Sequence, residues 1–333
     1  MSTLTAPKTS TLSVVRAFIK ALHEEMALDE KVICIGEDIG KKGGCWGTFT
    51  GLEAKFGENR VVEMPIAEAG YSLFAVGTTL AGYRPVCEYM FADFATLGAE
   101  AIMNVSPKMR YISGGKFSCP ITFIFPQGGG SRSGCQHSQS VESWLTNIPG
   151  LKIVAPTFPA DITAFLKASI RDDDPVAFVY HKGLLGLAGE VPDEVDVPAL
   201  TGAARVVKEG KDLTIVAYHR ALLNAIEAAK QVEAQTGMTI EIIDPRVLMP
   251  FDKDTVFKSI RKTGRLLVAH EAPERGGFGQ IVSSWVSEDC FFDLKSPVVR
   301  VGGRNTIIPF GKTEDFCYPQ IEDIKEGIMR AVR

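Results

Sequence analysis

The chain has 333 residues, of which 45% are hydrophobic and 23% are charged. These values are typical of a soluble globular protein, and the length accommodates two ordinary domains. A formal net charge of −4 argues against a nucleic-acid-binding protein, and no apolar run reaches the roughly 18 residues needed to cross a bilayer.

The first residues, MSTLTAPKTSTLS, are polar and lack the apolar stretch of a secretory signal. The segment is also too short for an organelle transit peptide, and we expect residues 1–11 to form a flexible tail. The seven cysteines are scattered and include no CxxC pair. This pattern favours reduced thiols in a cytoplasmic protein over a disulfide framework or a zinc site.

The first half of the chain predicts strands that alternate with helices. Apolar residues at helical spacing predict a helix over 11–29, with Thr11 or Ser13 as its cap. Small side chains at 67–81 predict a helix packed closely against a sheet. The segment 84–94 predicts a strand, followed by a long helix to about residue 112. The other elements predicted in this half are strands at 32–36, 120–127, 152–156 and 175–181 and helices at 51–57 and 159–171.

A stretch rich in glycine, proline and acids, 183–204, has no periodicity and predicts a crossing between domains. The alternation then restarts, which predicts a second α/β unit with a parallel sheet. We expect one domain at 12–187, a linker at 188–204 and a second domain at 205–333. The elements predicted in the second unit are strands at 212–218, 239–244 and 265–271 and helices at about 220–236 and 252–262.

Glu68 is the least expected residue of the small, apolar run EMPIAEAGYS. A buried carboxylate is costly unless a partner compensates for its burial. Two interpretations are open. Glu68 either stabilises the N-terminus of the helix that follows, where negative charge is favoured, or provides a charged hydrogen-bond acceptor for a ligand.

The glycine-rich loop 128–140, GGGSRSGCQHSQS, follows a predicted strand and carries His137. Glycines allow a backbone to approach a ligand closely, but the spacing is not that of a phosphate-binding P-loop. His137 is either a proton donor near neutral pH or a loop histidine that only bonds its neighbours.

Two further segments carry candidate binding features. Aromatic residues in CEYMFADF, at 87–94, either belong to the core or form the wall of a site for a flat heterocycle. The glycines of VAHEAPERGGFGQIV, at 269–282, precede a predicted helix and either bind an anion or form a tight turn.

Together these segments resemble the β subunit of the E1 component of 2-oxo acid dehydrogenase complexes, which use thiamine diphosphate. The resemblance covers about residues 12–333, and the segment 181–194 is most similar to acetoin dehydrogenase β subunits. The shared marks are GED at 36–38, MPIAE at 64–68, RPVCEYMFADF at 84–94, HSQS at 137–140, IPGLKIVAP at 148–156, IRDDDPV at 170–176, HEAPERGGFG at 270–279 and IPF at 308–310.

The resemblance implies an α/β fold with an N-terminal pyrimidine-binding domain and a C-terminal transketolase-type domain. It implies that Glu68 hydrogen-bonds the aminopyrimidine ring of the cofactor and that His137 acts in acyl transfer to a lipoyl group. Ile66, Met90 and Phe94 match positions that line the aminopyrimidine pocket. The residues that match a possible potassium site are Ile121, Thr122, Asp172 and Asp174.

Thiamine-diphosphate enzymes generally hold Mg²⁺ and the diphosphate through a GDG motif, which this sequence lacks. The resemblance therefore implies an α subunit that supplies this half of the site, in an α2β2 heterotetramer. It also implies a lipoyl-bearing E2 acyltransferase as the partner that receives the acyl group.

Four positions depart from the family pattern. Relatives commonly carry Arg at Ile124, Glu at Tyr180, Gly at His219 and a smaller residue at Trp46, which is either a core residue or narrows the route to the cofactor. The departures leave the substrate open. The alternatives are a split transketolase-like or carboligase subunit that is not coupled to lipoamide, and an assembly subunit without catalysis.

Overall fold

The computed structural model describes residues 8–333, which form two α/β domains and a small two-stranded sheet. The strands are β1 (Thr9–Ser13), β2 (Val32–Gly36), β3 (Val61–Glu63), β4 (Arg84–Glu88), β5 (Thr122–Gln127), β6 (Lys152–Val154), β7 (Val176–His181), β8 (Ala188–Pro192), β9 (Arg205–Lys208), β10 (Leu213–Ala217), β11 (Ile240–Asp244), β12 (Val247–Met249), β13 (Leu266–Pro273) and β14 (Val299–Gly303). The α-helices are α1 (Val14–Leu28), α2 (Leu52–Phe56), α3 (Glu68–Leu80), α4 (Met109–Ile112), α5 (Glu142–Leu145), α6 (Pro159–Arg171), α7 (His219–Thr236), α8 (Lys253–Thr263), α9 (Phe278–Asp289) and α10 (Ile321–Ala331).

The N-terminal sheet has the strand order β12-β6-β7-β5-β4-β2-β3 and is parallel except for β12. Its inner strands β2, β5 and β7 are buried on both faces because helices cover both. Alternating residues of β5 show this: Phe123 and Phe125 pack with the α3 side, and Ile124 packs with α1 and α6. The predicted parallel α/β domain is confirmed.

The C-terminal sheet has the strand order β14-β13-β10-β11-β9, with β9 antiparallel and the other strands parallel. Helices α7 and α10 cover one face, and α8 and α9 cover the other. The latter face is part of the same core cluster as the α3 side of the N-terminal sheet. The two domains therefore pack against each other through apolar side chains of one continuous core.

Part of the predicted tail and linker is wrong. Thr9–Ser13 pairs antiparallel with Ala188–Pro192, and the Thr9 hydroxyl donates to Glu190 Oε2 at 2.7 Å. A strand forms here because each segment supplies the backbone partners that the other lacks. Residues 1–7 of the predicted tail lie outside the described residues.

The strand predicted at 84–94 ends at Glu88, and the long helix predicted after it is wrong. The chain instead makes short turns of 3₁₀, π and α helix over 92–112. Pro107 lies within this region and cannot donate a helical hydrogen bond. Gly98, in the same region, lies so close to the Tyr89 hydroxyl that a side chain there would collide with it.

Several predicted elements match closely. The helix predicted at 159–171 has those bounds and begins with Pro159, a favoured first helical residue. Ser13 is the cap of α1 and accepts a hydrogen bond from Arg16 N at 3.3 Å. All seven cysteines are free thiols. Within residues 8–333, no helix combines the length and apolar character needed to span a membrane.

Candidate active site

Four neighbouring parallel strands of the N-terminal sheet, in the order β5-β4-β2-β3, end at one edge. The loop after β5 carries His137, and the segment after β4 carries Met90 and Phe94. Glu37 directly follows β2, and Glu68 lies five residues beyond the end of β3. Open α/β sheets bind ligands outside the carboxyl ends of their strands. The topology therefore places the predicted catalytic residues along one candidate binding edge.

Glu68 is the first residue of α3 and is only 4% exposed. This position favours a carboxylate because the helix N-terminus is electropositive. No residue in the range 8–333 donates a hydrogen bond to the Glu68 carboxylate; Ser72 bonds its backbone oxygen instead. Glu68 is thus placed to stabilise the N-terminus of α3, as the first interpretation expects. Its carboxylate is also free to accept a hydrogen bond from a ligand, as the second interpretation requires.

Two more buried acids, Glu37 and Glu88, lie at this edge. Burial and the nearby charge of Glu68 raise the pKa of Glu37 to about 7. Burial raises the pKa of Glu88 to about 8, although Thr48 Oγ1 donates to it at 3.4 Å. Both carboxyl groups therefore exchange protons near neutral pH. Glu37 and Glu88 lie within shared motifs, but the sequence assigned them no role.

The His137 ring lies among aromatic side chains. Its centroid is 4.5 Å from that of Phe91 and 5.4 Å from that of Phe94, and both contacts are edge-on. Trp46 packs on Phe91 at 5.3 Å and donates from Nε1 to the Met90 carbonyl at 2.7 Å. Loops from β2, β4 and β5 therefore form one aromatic cluster. Trp46 is half-buried at this edge, which fits the second of its two interpretations better than a place in the core.

Ile66 is not brought into that cluster. It is 83% exposed and precedes α3, whose outer face also exposes Leu73, Phe74 and Leu80. Large apolar side chains in one exposed patch indicate a surface that another molecule covers. Ile66 can therefore line a pocket only if a second molecule covers this patch.

The glycine loop is held by the C-terminal domain. Glu271 of β13 accepts a hydrogen bond from Gly129 N at 3.3 Å and lies 2.6 Å from His181 Nε2. A Cβ atom on Gly128 would lie 2.5 Å from the same His181 nitrogen. The glycines therefore allow the loop backbone to lie close to Glu271 and His181, which are protein side chains at the domain interface.

Glu271 is a buried charge with partners. Burial alone would raise its pKa, but the His181 ring and the Arg220 guanidinium lower the pKa of Glu271 to about 2. The Gly183 N–H donates to His181 Nδ1 at 3.1 Å, so the other ring nitrogen carries the proton that faces Glu271. This ionised contact fixes the interface beside the loop, and sequence patterns did not reveal it.

The residues of the predicted potassium site lie at the opposite, amino edge of the sheet. Thr122 is the first residue of β5 and Ile121 directly precedes it. The Ile121 carbonyl already accepts from Val176 N at 2.9 Å. Lys152 Nζ lies 2.6 Å from Asp172 Oδ1, and Arg110 lies 2.6 Å from Asp174. Cationic side chains thus balance both carboxylates. Across residues 8–333, no group of three or more His, Cys, Asp or Glu side chains is placed to hold a metal ion.

Comparisons with known proteins agree with this architecture. Residues 10–187 match the family model "Transketolase, pyrimidine binding domain", and residues 202–324 match "Transketolase, C-terminal domain". The 2-oxoisovalerate dehydrogenase subunit beta of Bacillus subtilis is 38% identical over 324 residues, which cover 96% of this chain and 98% of that protein. The chain belongs to the E1 β-subunit family of thiamine-diphosphate-dependent 2-oxo acid dehydrogenases.

Other similar proteins carry the names of other activities. The acetoin:2,6-dichlorophenolindophenol oxidoreductase subunit beta of Cupriavidus necator is 38% identical, with 97% of this chain and 98% of that protein covered. A solved structure of a "Split gene transketolase, inactive beta4 tetramer" is 26% identical and has a TM-score of 0.78, with 96% of this chain and 98% of that chain covered.

The departures from the E1 β pattern have distinct structural settings. Ile124 is buried in the sheet, and Tyr180 packs 5.4 Å from Phe18. His219 begins α7 with φ of 53°, a conformation that favours the glycine expected there. Burial and the neighbouring His181 lower the pKa of His219 to about 3, so this ring stays neutral.

Proposed function

We propose that this chain is the β subunit of an α2β2 E1 enzyme that decarboxylates a 2-oxo acid, or cleaves acetoin, and passes the acyl group to the lipoyl group of an E2 acyltransferase. The names of relatives about 38% identical over nearly the full chain support this proposal. The free carboxylate of Glu68, buried at the carboxyl edge of the pyrimidine-binding domain, is the observation that carries it.

Thiamine diphosphate, when bound, supplies the electron sink that allows carbon dioxide to leave. In our proposal Glu68 accepts a hydrogen bond from the aminopyrimidine, and Ile66, Met90 and Phe94 line the ring. The site fits this role because Glu68 has no hydrogen-bond donor among residues 8–333. The neighbouring Glu37, with its pKa raised to about 7, is able to take up or release the proton that Glu68 influences.

His137 is proposed to act in acyl transfer. In that step the S–S bond of the lipoyl group breaks and a bond forms between the acyl carbon and one sulfur. The two electrons left by decarboxylation reduce the disulfide, and the other sulfur takes a proton. His137 is a suitable residue for this step because an imidazole nitrogen can donate a proton or a hydrogen bond. Edge contacts with Phe91 and Phe94 fix the orientation of its ring.

The partner subunit is proposed to hold Mg²⁺ and the diphosphate, since this sequence has no GDG motif. The exposed apolar face of α3 supports a protein partner at this edge. We place the complex in the cytoplasm, where its seven free thiols stay reduced. The potassium site at Ile121, Thr122, Asp172 and Asp174 remains a proposal.

Reconstitution tests the function. The chain is purified alone and together with an α chain that carries GDG, and each preparation is given 2-oxoisovalerate, pyruvate or acetoin with a free lipoyl domain. We expect reductive acylation of the lipoyl domain only by the complex. Activity of the isolated chain would contradict the proposal. Carboligation without lipoyl acylation would favour a split transketolase-like enzyme, the kind of protein whose solved structure is 26% identical.

His137 has a matched control in its own loop. His137→Ala should slow lipoyl acylation about 10² to 10⁴-fold while decarboxylation, followed with an artificial oxidant, stays measurable. Gln136→Ala removes an exposed neighbour and should change neither rate by more than about twofold. Equal losses in both variants would remove His137 from the proposed mechanism.

A further inference from the structure

Tyr318 of the C-terminal domain contacts the loop that carries His137. Its hydroxyl donates to the carbonyl of Ser138, the residue after His137, at 2.6 Å. Tyr318 is only 4% exposed, and its ring lies so close to Gly129 that a Cβ atom there would overlap it. One buried side chain therefore contacts both the start of the loop and the peptide beside the histidine.

The segment that precedes Tyr318 follows the same loop. Gly311 N donates to the Arg132 carbonyl at 3.3 Å, and a bridge joins Ser133 to Phe310. Glu314 accepts a hydrogen bond from Gly130 N. These contacts give residues 310–318 a common function: they hold the glycine loop in one conformation from the C-terminal side.

The N-terminal domain holds the opposite side of the histidine. The His137 ring makes edge contacts with Phe91 and Phe94, and Asp93 accepts from both Gln139 nitrogens, backbone and side chain, at 3.2 and 2.8 Å. The ring is thus held by the N-terminal domain, whereas the Ser138–Gln139 peptide is held by both domains: Asp93 binds its N–H and Tyr318 binds its carbonyl. A shift of that peptide moves the imidazole relative to the site.

We propose that Tyr318 is a positioning residue for His137 and that the C-terminal domain controls acyl transfer through this hydrogen bond. The inference rests on the proposed function, in which His137 acts after decarboxylation. In this proposal Tyr318 contacts no reacting atom in decarboxylation or in acyl transfer. Its hydroxyl holds the Ser138 carbonyl, which sets the position of the His137 ring when the lipoyl group arrives.

Tyr318→Phe removes only the hydroxyl and is tested in the αβ complex. We expect the rate constant for reductive acylation of the lipoyl domain to fall on the order of tenfold, because a small displacement of a catalytic group has a large effect on rate. Decarboxylation, followed with an artificial oxidant, should fall less than about twofold. Tyr83→Phe is the control: Tyr83 is half-buried, and its hydroxyl makes no hydrogen bond within residues 8–333.

A double-mutant cycle separates positioning from a general effect on structure. In a His137→Ala background, Tyr318→Phe should have no further effect on reductive acylation. A loss that persists in that background, or equal losses in both half-reactions, overturns the role of Tyr318 alone. If His137→Ala itself leaves reductive acylation unchanged, the proposed role of His137 fails and the inference fails with it.

Discussion

At the carboxyl edge of the N-terminal sheet, Glu37, Glu68 and Glu88 are buried and form no ion pair among residues 8–333. At the amino edge, Asp172 lies 2.6 Å from the Lys152 ammonium. The same chemical group, a carboxylate, therefore has opposite surroundings at the two ends of one sheet. Acids with basic partners have a structural role, whereas buried acids without them retain a capacity for protons or for a ligand.

Glu68→Gln should have the largest effect and tests the functional side of this contrast. The amide keeps the size of the side chain but removes its negative charge, and turnover by the αβ complex should fall about 10³-fold. Assembly, measured by size-exclusion chromatography, should be unchanged. Glu58→Gln, an exposed change of the same type in the same domain, is the control. Comparable turnover in the two variants would contradict the role of Glu68.

Glu88→Gln tests whether burial of an unpaired acid reduces stability. Because the pKa of Glu88 is raised to about 8 in the fold, folding favours the protonated form. The stability that comes from binding this proton is therefore fully present below about pH 4.5, and it is lost as the pH rises through 8. The variant should be more stable than wild type at pH 8.5, by about 2 to 4 kcal/mol, and nearly equal to it at pH 4.5. Thermal melts at both pH values measure this, and a pH-independent difference would contradict it.

Asp172→Asn tests the paired edge. Removing one partner of the half-buried contact with Lys152 should lower the free energy of unfolding by about 1 to 2 kcal/mol. The exposed Asp196→Asn is the control. The same melts in KCl and in NaCl test the potassium proposal. A stabilisation specific to K⁺ that Asp172→Asn removes is expected from that site, and equal melts in the two salts would exclude it.

Trp46→Phe should have the smallest effect. The change removes the hydrogen bond to the Met90 carbonyl but keeps an aromatic ring beside Phe91. Reductive acylation should slow about threefold, the effect of one net hydrogen bond. Steady-state kinetics of the αβ complex measure it, with Trp285→Phe in the C-terminal domain as the control. A loss as large as that of Glu68→Gln would make Trp46 part of the chemistry.

Local patterns predicted the helices and strands whose stability is also local. The helix at 159–171 combines a favourable first proline with regular apolar spacing, so its bounds follow from nearby residues. The long α-helix expected before residue 112 is instead a series of 3₁₀, π and α turns, and the close contact of Gly98 with Tyr89 in this region is tertiary, so local periodicity does not contain it. Strand β12 is only three residues long, and its partner β6 is far away in the sequence. Local patterns therefore do not predict this strand.

The candidate site shows the same limit. Family motifs identified Glu68 and His137, and the parallel topology explains why they share an edge. The contact from Tyr318 to Ser138 joins residues 180 positions apart, so no local pattern indicates it. Ile66 is apolar yet 83% exposed, which its apolar sequence neighbours do not indicate.

Strand β12, the antiparallel edge of the N-terminal sheet, has a consequence for biosynthesis. The chain emerges from the ribosome N-terminus first, and domains generally fold as they appear. The edge of β6 has no neighbour until Val247–Met249 has been made. The sheet of the first domain is therefore complete only after part of the second domain has been synthesised. A fragment cut at the linker would expose the edge of β6, which would be prone to aggregation.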